Sequence, residues 1–130
     1  MIVIDASALA KVLLQEENWE SVPLTEKTAT LDYALVEALN AIWKAVIQKR
    51  LDEEDAKDRT EALKYLAKSL LLFEAKNYFE RALEIALKEK ITIYDALYIA
   101  LAEELKADLY TSDVKQFEAA KKYVRTKLIQ

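Results

Sequence analysis

The 130-residue chain contains no cysteine, no histidine and no glycine, and its single proline is Pro23. Without cysteine there is no disulfide, no thiolate nucleophile and no cysteine-ligated zinc. Without histidine the usual general base near neutral pH is missing, and with it the commonest zinc ligand. Ser-His-Asp catalysis and RNA cleavage by paired histidines are excluded on the same ground. Without glycine, neither the phosphate-binding P-loop nor the dinucleotide fingerprint can be written. Any chemistry must therefore come from Asp, Glu, Lys, Tyr, Ser or Thr. Abundant carboxylates without imidazole point toward oxygen-ligated Mg2+ or Mn2+.

Long hydrophobic runs are also missing. No stretch nears about eighteen uninterrupted apolar residues, so no membrane span is expected. Met1 leads straight into Ile2-Val3-Ile4-Asp5, with no basic leader or cleavable apolar segment, which points to a cytoplasmic protein. Average usage would put about nine glycines in such a chain. Their absence, with one proline and many Ala and Leu, describes a chain of low backbone entropy when unfolded. Thermophily and lineage codon bias both produce such a composition.

What is present supports one domain spanning residues 1–130. The chain is 53% hydrophobic, enough to bury a sizeable core. The net charge of -4 argues against a general polyanion binder, but it is unevenly spread. From Lys115 onward five basic residues (Lys115, Lys121, Lys122, Arg125, Lys127) face one acid, Glu118, leaving that segment at +4 and residues 1–114 at -8. Lys115, Lys121, Lys122 and Arg125 are candidate phosphate contacts beside an acidic body. Taken alone, the same residues read as a solvated helix face and a charged edge strand.

The β-branched run Ile2-Val3-Ile4 reads as a buried strand, followed by a helix over Ala6–Leu14. A further turn is expected over Glu16–Ser21, and a second strand at Thr28-Ala29-Thr30. A long helix is expected from Leu31 to Lys49. Leu35, Leu39, Ile42 and Val46 fall together on its wheel, and Val36, Trp43 and Ile47 widen the arc beyond a usual core stripe. That width calls for packing against the sheet and a second body, such as another copy of the chain. Helices follow at Asp52–Ala67 and Asn77–Lys88, with Leu70–Phe73 ambiguous between strand and helix. Ile93–Leu105 reads as a helix apolar nearly all round and deeply buried. A strand at Leu109-Tyr110-Thr111, a helix over Val114–Lys122 and a strand over Val124–Ile129 complete the chain. Strands alternating with helices predict a three-layer α/β/α sandwich around a mainly parallel sheet.

Four carboxylates stand out by position. Asp5 and Asp113 each follow a strand, where open parallel sheets bind ligands. Glu37 lies on the polar face of the long helix. Asp95 is a charge at the head of an apolar helix, where an unpaired carboxylate is costly and a cation would compensate it. Each alone has an ordinary explanation. Asp5 reads as a helix cap, Thr92-Ile93-Tyr94-Asp95 and Asp113-Val114-Lys115-Gln116 read as capping boxes, and Glu37 reads as a solvated side chain. The run Glu53, Glu54, Asp55, Asp58 is best explained by the dipole at a helix start. As a set, two of these acids sit at strand ends that should be neighbours, and a cation would compensate Asp95.

The four segments Val3-Ile4-Asp5-Ala6-Ser7, Val36-Glu37-Ala38-Leu39-Asn40, Tyr94-Asp95-Ala96-Leu97-Tyr98-Ile99-Ala100-Leu101-Ala102 and Tyr110-Thr111-Ser112-Asp113 together resemble the PIN-domain family. The resemblance is strongest to the VapC-like toxins of prokaryotic toxin–antitoxin pairs, and it covers nearly the whole chain in the family's order. The glycine often found near the Lys106-Ala107-Asp108 turn is absent. The resemblance implies an endoribonuclease that hydrolyses RNA phosphodiester bonds by metal-activated water at Asp5, Glu37, Asp95 and Asp113. It implies Ser7, Asn40, Thr111 and Ser112 as supporting residues, a homodimer, and a small antitoxin protein as partner.

Other readings rest on the same residues. A non-catalytic module of the same fold would use the acidic pocket for binding alone. A phosphoryl-transfer domain of receiver type also places acids at strand ends, but it would want a lysine after a late strand, and Lys115 follows the helix-starting Asp113. A purely structural dimer rests only on the wide apolar arc around Trp43. The RNA target and the number of metal ions are not encoded in these residues.

Overall fold

The computed structural model describes all residues from Met1 to Gln130. Five short strands form one sheet in the order β3-β2-β1-β4-β5, with every neighbouring pair parallel. The strands are β1 (Ile2–Ile4), β2 (Thr28–Leu31), β3 (Leu71–Phe73), β4 (Asp108–Thr111) and β5 (Thr126–Leu128). The helices are α1 (Ala6–Leu14), α2 (Tyr33–Ile47), α3 (Glu53–Ser69), α4 (Phe79–Glu89), α5 (Ile93–Leu105) and α6 (Val114–Ala120). The strand order runs one way from β1 to β3, then returns through β4 to β5. Right-handed crossovers then put helices on both faces, giving the α/β/α sandwich expected. No helix is long and apolar enough to cross a membrane.

The central strands show why the sheet forms where it does. Val3, Ile4 and all four residues of β2 are buried, as a parallel sheet covered on both faces requires. Two of those residues are threonines, and their hydroxyls are satisfied. Thr28 donates to the Pro23 carbonyl (3.2 Å) and Thr30 to the Ile4 carbonyl (2.6 Å). The second bond fixes the end of β1, one residue before Asp5.

The long helix starts later than its apolar pattern suggests. Leu31 pairs with Phe73 as the last residue of β2, and Asp32 caps α2 by accepting from the Tyr33 and Ala75 amides. Its packing also differs from the helical wheel. The buried face is Ala34, Ala38, Ile42 and Ala45, whereas Leu35 and Val46 are half-buried and Leu39 is exposed. Alanines let α2 approach its neighbours closely, and that rotates the large side chains outward. Trp43 is 58% exposed and Ile47 60%. The wide arc is thus a tight alanine seam next to an uncovered apolar row.

Smaller differences have local causes. Of Leu70–Phe73, Leu70 caps the end of α3 and Leu71–Phe73 form the edge strand β3, and Ala75–Tyr78 forms a 3-10 turn before α4. Helix α5 matches its expected span, with Ala96 to Ala102 wholly buried. The missing glycines leave five non-glycine residues at positive φ: Gln15, Asn18, Lys49, Lys90 and Lys106. Gln15, Lys90 and Lys106 are left-handed C-caps whose amides bond back into the preceding turn, at roughly 1 kcal/mol of strain each. Lys106 occupies the turn before β4 where the family resemblance would place glycine.

Candidate active site

Strands β1 and β4 are neighbours, and the Asp5 amide donates to the Tyr110 carbonyl (3.1 Å). The segments after the two strands therefore meet at the carboxyl end of the sheet. Asp5 is buried there as the N-cap of α1, accepting from the Ala8 amide (3.0 Å). The Ser7 hydroxyl donates to Oδ1 of Asp5 (2.6 Å) and the Thr111 hydroxyl to Oδ2 (2.5 Å). Ser112 contributes its amide, which donates to Ser7 Oγ (2.8 Å). Both carboxylate oxygens are thus held in place, and Ser7, Thr111 and Ser112 gather around Asp5 as supporting groups.

Burial pushes the Asp5 carboxyl up to about 6, against the pull of the bonds from Ser7, Thr111 and Ala8; the nearby Asp95 adds to the rise. Asp95 is half-buried in the first turn of α5, and its amide donates to the Thr92 hydroxyl (3.2 Å). Burial raises its pKa first and Asp113 second, while Thr92 and Lys115 pull it down. Glu37 is also raised by burial and by Asp95, and is opposed by a 2.6 Å hydrogen bond from the Tyr98 hydroxyl. Asp113 is exposed and caps α6 by accepting from the Gln116 amide (3.1 Å).

The capping readings therefore hold for Asp5, Thr92 and Asp113, and they do not exhaust those residues. Nine ion pairs lie elsewhere on the surface, and none includes Asp5, Glu37, Asp95 or Asp113. Asp95 lies within charge reach of Asp5, Glu37 and Asp113, and none of the four has a basic partner in an ion pair. No three acidic side chains already converge as a metal cage. An all-oxygen donor set without a paired base still suits a hard divalent cation.

Two functional candidates escaped sequence reasoning. Tyr98 reads as one more apolar residue of α5, yet its hydroxyl meets Glu37. The available signal was its place three residues after Asp95, on the same helix face, where a buried phenol needs a partner. Gln116 reads as the return half of a capping box. Instead, its fully buried side chain donates from Nε2 to the Asp95 carbonyl (2.8 Å), and the Asp113 amide turns to Thr111 Oγ1 (3.1 Å). Gln116 thereby ties the helix of Asp113 to the helix of Asp95.

The basic residues are only partly drawn to this end. Arg125 lies just before β5 and faces Asp108 at the start of β4 (3.7 Å), the opposite end of the sheet. Lys121 and Lys122 follow the far end of α6, paired with Glu118 (2.6 Å) and Glu89 (2.8 Å). Lys115 alone sits beside the acids, in the first turn of α6. Asn40, one turn beyond Glu37, lines a cavity with Glu37, Tyr33, Val36 and Tyr94.

Comparison with known proteins agrees with this architecture. The PIN domain family model matches residues 2–122. Ribonuclease VapC3 of Pyrobaculum aerophilum is 35% identical over 116 residues, covering 86% of this chain and 88% of that protein. Exonuclease VapC9 of the same organism is 32% identical, covering 85% and 79%. Among solved structures, PAE2754 of P. aerophilum superposes with a TM-score of 0.74 at 29% identity, over 96% of this chain and 82% of that one. FitAcB of Neisseria gonorrhoeae shares the fold, with a TM-score of 0.66 at 18% identity, over 97% and 96%.

Proposed function

The chain belongs to the PIN-domain family, and on that footing we propose that it is a divalent-metal-dependent endoribonuclease, the toxin of a toxin–antitoxin pair. The observation that carries this reading is the set Asp5, Glu37, Asp95 and Asp113 toward the carboxyl end of the sheet, none of them in an ion pair and with Asp95 in charge reach of the other three. The names of its VapC relatives support RNA as the substrate.

Asp5, Asp95 and Asp113 would hold the cation, with Glu37 beside them. When bound, Mg2+ or Mn2+ supplies Lewis-acid polarisation of the phosphate and makes water acidic enough to attack near neutral pH. The chain's own groups then have separable tasks. Ser7, Thr111 and the Ala8 amide hold Asp5 in one orientation. Tyr98 occupies Glu37 Oε2, leaving Oε1 free to take a proton from water. Burial raises the Glu37 pKa above the ordinary carboxylate value, which makes it a stronger base than a solvated carboxylate. Lys115 offers a positive charge to the phosphate flanking the scissile bond.

One relative is called an exonuclease, which makes the mode of attack a separate question. RNA labelled at either end, together with a circular RNA, decides it. Internal fragments and linearised circles are expected. Release of single nucleotides from one end, with circles intact, establishes the exonuclease reading. Binding without cleavage at any metal concentration establishes a non-catalytic module.

The proposal includes two protein partners. The outward row Leu39, Trp43 and Ile47 on α2 is the face for a second copy of the chain, and a small antitoxin is the physiological inhibitor. Light scattering of the isolated protein, before and after Trp43→Glu, tests the first. Cleavage assays with the product of the adjacent gene test the second.

A further inference from the structure

Tyr33 and Tyr94 stand together at the rim of the acidic site. Tyr33 opens α2, and Tyr94 immediately precedes Asp95 in the first turn of α5. Their rings stack with centroids 5.5 Å apart and planes inclined by 20°. The pair is not part of the core, since Tyr33 is 39% exposed and Tyr94 52%. A cavity of about 370 Å3 adjoins it, lined by Tyr33, Val36, Glu37, Asn40 and Tyr94. That volume falls within the range of small-ligand pockets.

The lining states what the cavity would accept. It has two aromatic rings, the apolar Val36 and the exposed amide of Asn40. It has no lysine or arginine, and Glu37 makes it negative. A phosphate is repelled there, whereas a neutral planar ring with hydrogen-bonding edges is not. Aromatic side chains are the usual platform on which proteins stack unpaired bases, and an amide reads a base edge. Because Glu37 lines both cavity and acidic site, an occupant would lie next to the reacting phosphate.

We infer that this cavity binds an unpaired nucleobase of the RNA, stacked on the Tyr33–Tyr94 pair with its edge toward Asn40. The inference rests on the ribonuclease reading and deepens it. The enzyme then requires single-stranded RNA around the cleaved bond, and the pair sets one position of its base preference.

The test uses a short fluorescein-labelled single-stranded RNA spanning a mapped cleavage position, with anisotropy as readout. Binding is measured in an Asp5→Asn background, and kcat and KM in the otherwise unaltered chain. Tyr94→Ala is expected to weaken binding about 5- to 150-fold, the range found for loss of one stacked base. Tyr94→Phe, which keeps the ring, should bind within about threefold of the parent. Removing single bases along the RNA should reveal one abasic position that reproduces the loss, and Tyr94→Ala should then add little. If Tyr94→Ala folds poorly, Tyr94→Leu keeps the bulk and carries the same expectation. Unchanged affinity in the Ala or Leu variant overturns the platform, as does an equal loss in Tyr94→Phe or a loss indifferent to every abasic position. Cleavage with unchanged binding would overturn the platform alone; failure of the intact chain to bind or cleave RNA would remove the ribonuclease reading as well.

Discussion

The Tyr98 hydroxyl donates to Glu37 Oε2 across 2.6 Å, joining the buried helix α5 to the half-buried polar face of α2 beside the other acids. Burial and the neighbouring Glu37 carboxylate both hold the Tyr98 phenol above its ordinary pKa, so it stays protonated and remains a donor at physiological pH. Tyr98→Phe removes that donor and leaves Glu37 easier to protonate. Cleavage should fall about 10- to 100-fold, the usual cost of losing a supporting hydrogen bond. The acidic limb of the pH–rate profile should also move upward. An unchanged rate and an unmoved limb would make the contact purely structural.

Asp5 should make the stability of the metal-free fold depend on pH. Its pKa is about 6 in the folded chain, against 3.8 for the free group. Between about pH 4 and pH 6 the folded form keeps a proton that the unfolded form has released. Folded stability should therefore fall as pH rises through that window, by on the order of 3 kcal/mol at most. Glu37 and Asp95, also shifted upward, add in the same direction. Asp5→Asn keeps an acceptor for the Ala8 amide and removes the charge, so it should flatten this slope and raise metal-free stability near neutral pH. Denaturant midpoints across pH, in chelator, check the sign. A variant that unfolds readily and cleaves in proportion to its folded fraction would reduce Asp5 to a helix cap.

Gln116→Leu separates positioning from stability. Gln116 donates to the Asp95 carbonyl, but its own Oε1 is buried without a partner. Leucine removes the bond to the Asp95 carbonyl, which keeps its place in the ladder of α5, and at the same time removes that orphaned oxygen. The two effects oppose, so stability should change by less than about 1 kcal/mol. The tie between α5 and α6 is lost, so kcat should drop while the denaturant midpoint barely moves. A parallel fall in both would show that Gln116 serves packing alone.

Lys115 and the later basic residues make different predictions. Lys115 is beside the acids, whereas Lys121, Lys122 and Arg125 already face Glu118, Glu89 and Asp108. Lys115→Ala should weaken RNA binding and reduce the slope of log K against log salt by about 1. Lys121→Ala and Arg125→Ala should leave both nearly unchanged. The reverse ranking would restore the basic tail as the phosphate track.

The legibility of the sequence was uneven for physical reasons. Helices α1 and α5 could be placed because a β-branched strand, a capping residue and an apolar run mark their ends. Asp5 and Asp113 were readable as residues that follow strands, since strand ends are a topological feature. The contacts of Tyr98 and Gln116 were not readable, because each spans more than twenty residues of chain and depends on which faces meet. The inward face of α2 was misjudged because a wheel ranks hydrophobicity, whereas packing there favoured alanines that permit close approach. The placement of the basic tail was not readable, because charge counted along the chain ignores that parallel strands put Arg125 beside Asp108 at the far end of the sheet.

The central claim is that an oxygen-only acidic site cleaves RNA with a divalent cation, and a metal titration with a cleavage readout tests it most directly. A mixed single-stranded RNA pool is incubated with the intact chain and with Asp5→Asn, in chelator and then in rising Mg2+ or Mn2+. The account predicts no cleavage in chelator, saturable cleavage by the intact chain as the cation rises, and none by Asp5→Asn at any concentration. Cleavage that persists in chelator, or that survives Asp5→Asn at the intact rate, would contradict it.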